Sequence, residues 1–169
     1  MRWGTTVRTA ACAALMATTM AATTSAEPLP SQLAGTWRIT RVLPTKNTAC
    51  WSSEQAQPLV GSTLTYSNKT MRWRGGPVPL EDINTRQVTD EEFRKENDGA
   101  DFEQLGIHSP KVMEVDLQHE DADITGASTE VPGDSILLVA PGRIVVSACG
   151  VYFEATRGTA QKAAATAHR

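Results

Sequence analysis

The sequence predicts a mainly β protein, a small antiparallel up-and-down barrel of about eight strands with a short helical insertion. Segments in which apolar and polar residues alternate occur in the first and the last parts of the chain. Three of them follow one another near the C-terminal end with short connections, as in a meander. The chain has no repeating strand–helix–strand rhythm, which would indicate a parallel sheet. The predicted strands cover residues 35–42, 61–67, 70–75, 111–117, 122–126, 135–140, 143–149 and 151–157.

The composition excludes several classes of function. The chain has 169 residues, of which 40% are hydrophobic and 21% charged, and its formal net charge is −3 at pH 7. These values are typical of one globular domain. Lysine and arginine form no block, and aromatic residues make up only 5% of the chain. We therefore expect no nucleic-acid partner, because such a partner needs a basic surface or base-stacking rings.

Residues 1–26 have the pattern of a secretory signal peptide. Arg2 and Arg8 precede an apolar stretch of Ala, Leu, Met and Thr, and Thr24 and Ala26 are small residues at the positions that signal peptidase would read. An anchored or disordered N-terminus is the alternative. The stretch is short and rich in threonine, so we expect no stable membrane span after cleavage. The sequence thus predicts an exported protein, periplasmic or secreted.

Cleavage after Ala26 would remove Cys12 and leave Cys50 and Cys149. An even pair of cysteines in an exported protein is typical of a disulfide. A bond that closes so long a loop would stabilise the fold by roughly 4–5 kcal/mol in the chain-entropy account. The alternative is two reduced, buried thiols.

The exported domain is expected to span residues 27–157. In its first strand, Trp37 and Ile39 share one face, and Arg38 and Thr40 share the other. A long polar connection follows. Two short strands then flank a Ser-Asn-Lys corner that suits a tight hairpin turn, and a Gly-Gly-Pro run ends the pattern.

The middle of the domain, about residues 76–110, is predicted to be an acidic helical insertion. Thr89 and Glu92 have the spacing of a capping box, which predicts a short helix that continues to about Glu96. Acidic residues strongly outnumber basic ones between positions 81 and 123. The acidity of the chain is therefore local, on an otherwise slightly basic β domain.

The strand pattern returns at Lys111 and is strongest near the end of the domain. Three consecutive segments there are rich in β-branched residues, and Pro141-Gly142 marks a turn between the first two. Residues 158–169 are polar and rich in alanine. We expect them to form a flexible C-terminal tail.

Gly35-Thr36-Trp37 resembles the G-x-W motif that opens the first strand of lipocalins and related calycin barrels, and Arg157 ends the last predicted strand. In that family the tryptophan packs at the closed end of the barrel under an arginine from the end of the last strand. The resemblance implies that Trp37 and Arg157 form a barrel-closing pair, with the guanidinium over the indole face. The motif also opens avidin-like barrels and bacterial calycin-type metalloprotease inhibitors. The turn sequence Ala-Pro-Gly-Arg at 140–143 and the acidic insertion depart from the lipocalin pattern.

No recognisable catalytic motif is present. The chain lacks a G-x-S-x-G elbow, a P-loop, a G-x-G-x-x-G turn and an H-E-x-x-H pair. His119 and the acidic residues that follow it could bind a divalent cation, but a solvated acidic loop is the simpler interpretation. The cysteines and histidines do not have the spacing of a zinc site. We expect no catalytic residue, no metal and no cofactor, and we interpret the protein as non-enzymatic.

Aromatic residues predicted to point into the barrel indicate a binding role. Trp73 alternates with Arg72 and Arg74 and should face inside. With Tyr66 and Phe153 it could line a cavity for a small hydrophobic ligand. The alternative is that these rings simply fill a small barrel.

The first functional hypothesis is therefore an exported lipocalin-like binding protein for a small hydrophobic ligand. The second is an exported inhibitor or protein-interaction barrel that acts on another protein through its acidic segment or loops. An enzyme without a recognisable motif and a structural envelope protein are further alternatives.

Overall fold

The computed structural model describes residues 27–44, 51–73, 76–119 and 132–157. Within these ranges the protein is mainly β. A short 3₁₀ segment, Gln57–Leu59, follows the helix Ser53–Ala56. In chain order the elements are β1 (Gly35–Val42), α1 (Ser53–Ala56), β2 (Thr63–Tyr66), β3 (Thr70–Trp73), β4 (Gly76–Pro79), β5 (Asp82–Thr89), α2 (Asp90–Glu96), β6 (Lys111–Gln118), β7 (Ser135–Ala140), β8 (Arg143–Ala148) and β9 (Val151–Arg157).

The strands form one antiparallel sheet in the order β4-β3-β2-β1-β9-β8-β7-β6-β5, and this sheet curls into a half-barrel. The edge strands β4 and β5 are consecutive in the chain and are joined only by Leu80 and Glu81. The Leu80 amide donates to the Lys69 carbonyl oxygen at 2.9 Å, and the Glu81 amide donates to that of Gln118 at 2.8 Å. The junction thus bonds to both sides of the curled sheet, and the predicted fold class is confirmed.

Most predicted strands are present with nearly the expected bounds. β1, β7 and β9 coincide with the prediction, β6 and β8 differ from it by one residue at one end, and β2 is shorter by two residues at its start and one at its end. β3 agrees with the prediction up to Trp73, after which residues 74 and 75 lie outside the described residues. The strand predicted at 122–126 lies outside the described residues. So do residues 1–26 and the tail 158–169.

The segment predicted as a helical insertion, 76–110, is corrected by the structure. Its first part forms the strands β4 and β5, which are not predicted, whereas its helix begins at Asp90, as the capping box predicts. Pro77 and Pro79 are tolerated because β4 is an edge strand, where a missing N–H need not break a ladder. In β5 the buried apolar residues are Ile83 and Val88, which belong to opposite faces of the sheet. The sequence of β5 therefore shows no alternation of apolar and polar residues.

The concave face of the sheet encloses the main hydrophobic core. Side chains from all nine strands of the sheet meet there with two leucines of the N-terminal lead-in. Such apolar burial is the main favourable term in folding. The core residues are Leu29, Leu33, Trp37, Ile39, Ala56, Leu59, Leu64, Tyr66, Met71, Trp73, Val78, Ile83, Val115, Leu117, Ile136, Ile144, Val146, Ala148, Val151, Phe153 and Ala155.

A second core lies on the convex face, under α2 and the turns that follow it. Phe93 of α2 is buried, and its ring centroid lies 5.5 Å from that of Phe102 and 5.8 Å from that of Tyr152 on β9. The helix begins as predicted: Thr89 accepts from the Glu92 amide, and the Glu92 side chain accepts from the Thr89 amide at 2.9 Å. The acidic segment is therefore anchored to the sheet by aromatic packing.

The lead-in to β1 extends the main core. Leu29 and Leu33 are buried in it. The Thr85 hydroxyl of β5 donates to the Glu27 carboxylate at 2.7 Å, which ties the lead-in to an edge strand. Among the described residues, no helix has the length and apolarity needed to cross a membrane.

Candidate functional site

Arg157 covers Trp37 at one end of the half-barrel. The two residues are register partners of β9 and β1, and the guanidinium carbon lies 4.7 Å from the centroid of the indole ring. The arginine also donates to the carbonyl oxygen of Ala34 at 3.0 Å and to that of Gln32. The indole N–H donates to the Leu33 carbonyl at 2.7 Å. Stacking and hydrogen bonds thus fix both planar groups against the lead-in.

Gly35 allows this stacking. Its φ of +117° is a conformation that residues with a Cβ rarely adopt. A Cβ at this position would also lie only 3.0 Å from Nη1 of Arg157. The first residue of the G-x-W motif is therefore a glycine for two reasons, the backbone conformation and the close approach of the arginine.

A cavity of about 540 Å³ opens beside this pair. Its volume is within the range of small-molecule sites. It lies between the lead-in and the hairpin that joins β7 to β8. The lining residues are Gln32, Trp37, Leu138, Val139, Ala140, Pro141, Gly142, Ile144 and Arg157.

The lining of the cavity combines apolar and polar surface. Leu138, Ala140 and Pro141 supply the apolar part, and the buried Trp37 and Ile144 lie beneath it. Among the lining residues, Arg157 alone has an ionisable side chain. Such a surface can hold a small molecule by apolar contact and orient it by one charged group.

The residues predicted to line a cavity do come together, but as packed core. Tyr66, Trp73 and Phe153 are 2%, 5% and 0% exposed and belong to the main core. None of the three lines the cavity beside Arg157. The interior of a small barrel has room for little more than its own side chains, and here these rings occupy it.

The segment just before β7 covers Tyr66. It lies at the opposite end of β7 from the cavity. Pro132 and Gly133 are buried, and the Tyr66 hydroxyl donates to the Gly133 carbonyl at 3.2 Å. Burial, and then the negative charge of Asp134, raise the pKa of Tyr66 well above its ordinary value. The hydroxyl therefore stays protonated and can act as a hydrogen-bond donor in the core.

Two clusters of charged residues on the convex face join neighbouring segments to the sheet. Glu154 accepts from Arg41 at 2.9 Å and from Arg143 at 2.7 Å. Hydrogen bonding from Arg41 first, and from Arg143, lowers the pKa of Glu154. Arg143 also donates to the carbonyls of Leu105 and Gly106 at 2.9 and 3.0 Å. This cluster therefore ties the segment after α2 to the sheet.

A second cluster joins α2 to β5 and β6. Glu114 is only 4% exposed, and it accepts from Nε of Arg86 at 2.5 Å. Burial raises the pKa of Glu114, and the hydrogen bond from Arg86 opposes that rise. The same arginine pairs with Glu96 at the end of α2. A buried carboxylate is retained here because a cation is beside it.

The remaining candidate residues are partly outside the described ranges. His119 Nε2 lies 3.2 Å from Asp134 Oδ1, whereas the acidic residues that follow His119 are not described. Across the described ranges, no group of three His, Cys, Asp or Glu side chains could hold a metal ion. Cys149 is buried at the connection between β8 and β9. Because Cys50 lies outside the described residues, the disulfide between these two cysteines stays a prediction.

Most of the residues around the cavity cannot be anticipated from the sequence. Trp37 and Arg157 carry a recognisable motif, whereas the hairpin residues are distinctive only because Ala-Pro-Gly-Arg departs from the lipocalin pattern. That departure is the one sequence signal in the hairpin wall of the cavity. Comparison with protein-family models, curated proteins and solved structures found no match for the chain.

Proposed function

We propose that the protein is an exported lipocalin-like binding protein that holds a small hydrophobic ligand in the cavity beside Trp37 and Arg157. The observation that carries the proposal is the cavity itself, about 540 Å³, with apolar surface from the β7–β8 hairpin beside one arginine. The stacking of Arg157 on Trp37 supports the likeness to calycin barrels, in which such a pair closes one end of the barrel.

The cavity is a better ligand site than the interior of the half-barrel. A ligand beside Tyr66 or Phe153 would have to displace closely packed side chains and the buried Pro132 and Gly133. Unpacking a core costs free energy that binding must recover. A space that already exists between the lead-in and the β7–β8 hairpin has no such cost.

Export is proposed from the signal-like residues 1–26 and from the cysteine pair Cys50 and Cys149. Mass spectrometry of the exported protein tests both features. We expect an N-terminus at Glu27 and a mass that rises by two hydrogens after reduction. Two alkylatable thiols without reduction would contradict the disulfide.

A titration followed by tryptophan fluorescence tests the binding proposal, because Trp37 lines the cavity. Medium-chain alcohols and a fluorescent hydrophobic probe are suitable ligands. Ala140 is exposed and lines the cavity, so Ala140→Phe should fill part of it without touching the main core. Displacing two or three ligand methylenes would cost about 1.6–2.4 kcal/mol, and the affinity should fall roughly 15- to 60-fold.

Thr63→Phe is the matched control. Thr63 is exposed on β2 and does not line the cavity, so this variant should bind like the parent protein. Absence of binding to the parent protein would refute the proposal. Equal affinities of the parent protein and Ala140→Phe would place any binding elsewhere.

A protein-interaction barrel that acts through the acidic segment is the second candidate. Its support is that α2 is held firmly on the sheet and exposes acidic side chains, among them Glu91 at 80% exposure. However, Arg94 pairs with Asp90, and Lys95 pairs with Glu91, which reduces the free negative charge. A basic partner captured at low salt should be lost at high salt, and a partner retained by Glu91→Lys would count against this candidate.

A further inference from the structure

We propose that the ligand of this cavity is a small anionic amphiphile, a monocarboxylate with an aliphatic body, whose carboxylate is bound by Arg157. The inference rests on the proposed function, because it concerns the same cavity. It goes further by specifying the charge and the orientation of the ligand.

The first argument is charge. Among the nine residues that line the cavity, Arg157 is the only one with an ionisable side chain. Within the described part of the chain, the hydrogen bonds of this guanidinium go to two backbone carbonyls, those of Ala34 and Gln32, and not to a carboxylate. Glu154, three residues earlier on β9, is already paired with Arg41 and Arg143. The lining of the cavity therefore carries a net positive charge, which is complementary to an anion.

The second argument is the number of donors. A guanidinium has five N–H donors in a rigid plane. Two of them serve the carbonyls of Ala34 and Gln32, which leaves donors for the two oxygens of a carboxylate. The stacking on Trp37 at 4.7 Å holds the plane in place, so little entropy is lost when a ligand binds. Arginine is suited to carboxylates for this reason.

The third argument is the division of the lining into a polar and an apolar part. Arg157 and Gln32 lie together, as their hydrogen bond shows. Leu138, Ala140 and Pro141 supply the apolar part from β7 and the turn that follows it. A ligand with one anionic end and one aliphatic end satisfies both parts. A purely apolar ligand would desolvate the guanidinium without offering it a partner, which is unfavourable.

Three ligands with the same aliphatic chain test the proposal: octanoate, octanol and octylamine. Each is titrated into the folded protein by isothermal calorimetry and tryptophan fluorescence. Octanoate should bind up to about 5-fold more tightly than octanol, because Arg157 is exposed and an ion pair at an exposed site contributes at most about 1 kcal/mol. Octylamine should bind most weakly, and added salt should weaken octanoate alone.

Variants then assign the preference to one side chain. Arg157→Gln should reduce the affinity for octanoate to about that for octanol, while Arg157→Lys should keep part of the preference. Arg38→Gln is the matched control, because Arg38 is an exposed arginine on β1 that does not line the cavity. It should leave the preference unchanged. Thermal unfolding verifies that each variant is folded.

The outcomes separate the two proposals. If octanol binds as tightly as octanoate, the anionic ligand is refuted and the hydrophobic binding function stands. If none of the three ligands binds, the proposed function at this cavity fails as well. If Arg157→Gln does not fold, the head-group comparison in the parent protein and in Arg157→Lys decides the question.

Discussion

Replacing Gly133 by alanine should destabilise the protein by about 2–6 kcal/mol. Gly133 has a φ of +102°, and holding a residue with a Cβ in such a region costs about 1–3 kcal/mol. The new Cβ would also overlap the Tyr66 hydroxyl and lie 3.3 Å from Cδ1 of Leu64. Overpacking of this kind adds about 1–3 kcal/mol.

A double-mutant cycle isolates the overlap. Tyr66→Phe alone loses the hydrogen bond to the Gly133 carbonyl, at a cost of about 1 kcal/mol. In the double variant the hydroxyl that the Cβ would meet is gone. The two substitutions together should therefore cost about 1–2 kcal/mol less than the sum of the single effects.

The measurement is urea unfolding followed by tryptophan fluorescence and circular dichroism, with linear extrapolation. Gly61→Ala is the control, because Gly61 has a φ of +93° but no atom of the described residues lies within 4 Å of the place that a Cβ would take. Gly61→Ala should therefore lower the free energy of unfolding only by the cost of the backbone conformation. If Gly133→Ala lowers the free energy of unfolding no more than Gly61→Ala does, the proposed contact of the new Cβ is refuted. It is also refuted if the effects of Gly133→Ala and Tyr66→Phe are strictly additive.

The remaining predictions concern the convex face of the sheet. Phe93→Ala should cost about 3–5 kcal/mol in urea unfolding, because a buried ring leaves a cavity, and Phe93→Leu should cost clearly less; a loss below about 1 kcal/mol would be inconsistent with this packing. Thr89→Ala should cost about 1 kcal/mol by removing the cap of α2, whereas Thr89→Ser should be nearly neutral, and protection of the Glu92 amide from hydrogen exchange reports the difference. Because the arginines lower the pKa of folded Glu154, its contribution to stability is complete above the ordinary glutamate value of about 4.3 and is lost as the pH falls through the lower folded value. Glu154→Gln should therefore flatten the acid side of the stability profile, and an unchanged profile would contradict the assignment.

The strands of the C-terminal meander can be predicted because each has enough alternating or β-branched residues to identify it. In β8, Ile144 and Val146 enter the main core, while Val145 packs under the acidic segment. Both faces are apolar there, and the β-branched run is sufficient to indicate a strand. The capping box is equally informative, since Thr89 and Glu92 contact each other locally.

β4 and β5 cannot be predicted, because their structure depends on long-range pairing. β4 contains two prolines, and β5 is polar over most of its length. What makes β5 a strand is its ladder with β6, in which Ile83 pairs with Leu117 and Val88 with Val112. Tertiary context of this kind overrides local propensity.

The cavity escapes sequence-based prediction for a related reason. Trp37 and Arg157 carry a recognisable motif, but the opposite wall is a hairpin that the fold brings near the lead-in. No spacing of residues in the sequence predicts that the hairpin lies near the lead-in. The aromatic residues that the sequence suggests as a lining, such as Phe153, are simply the largest groups available to fill the core.

The position of β1 has a consequence for how the chain folds. The first strand lies in the middle of the sheet, between β2 and β9, so one side of it stays unpaired until β9 is available. Contacts between such distant parts of a chain close large loops, and proteins dominated by them fold slowly. The pairing of Trp37 with Arg157 closes one of these large loops, and a nascent chain that lacks β9 would expose an open sheet edge to other chains.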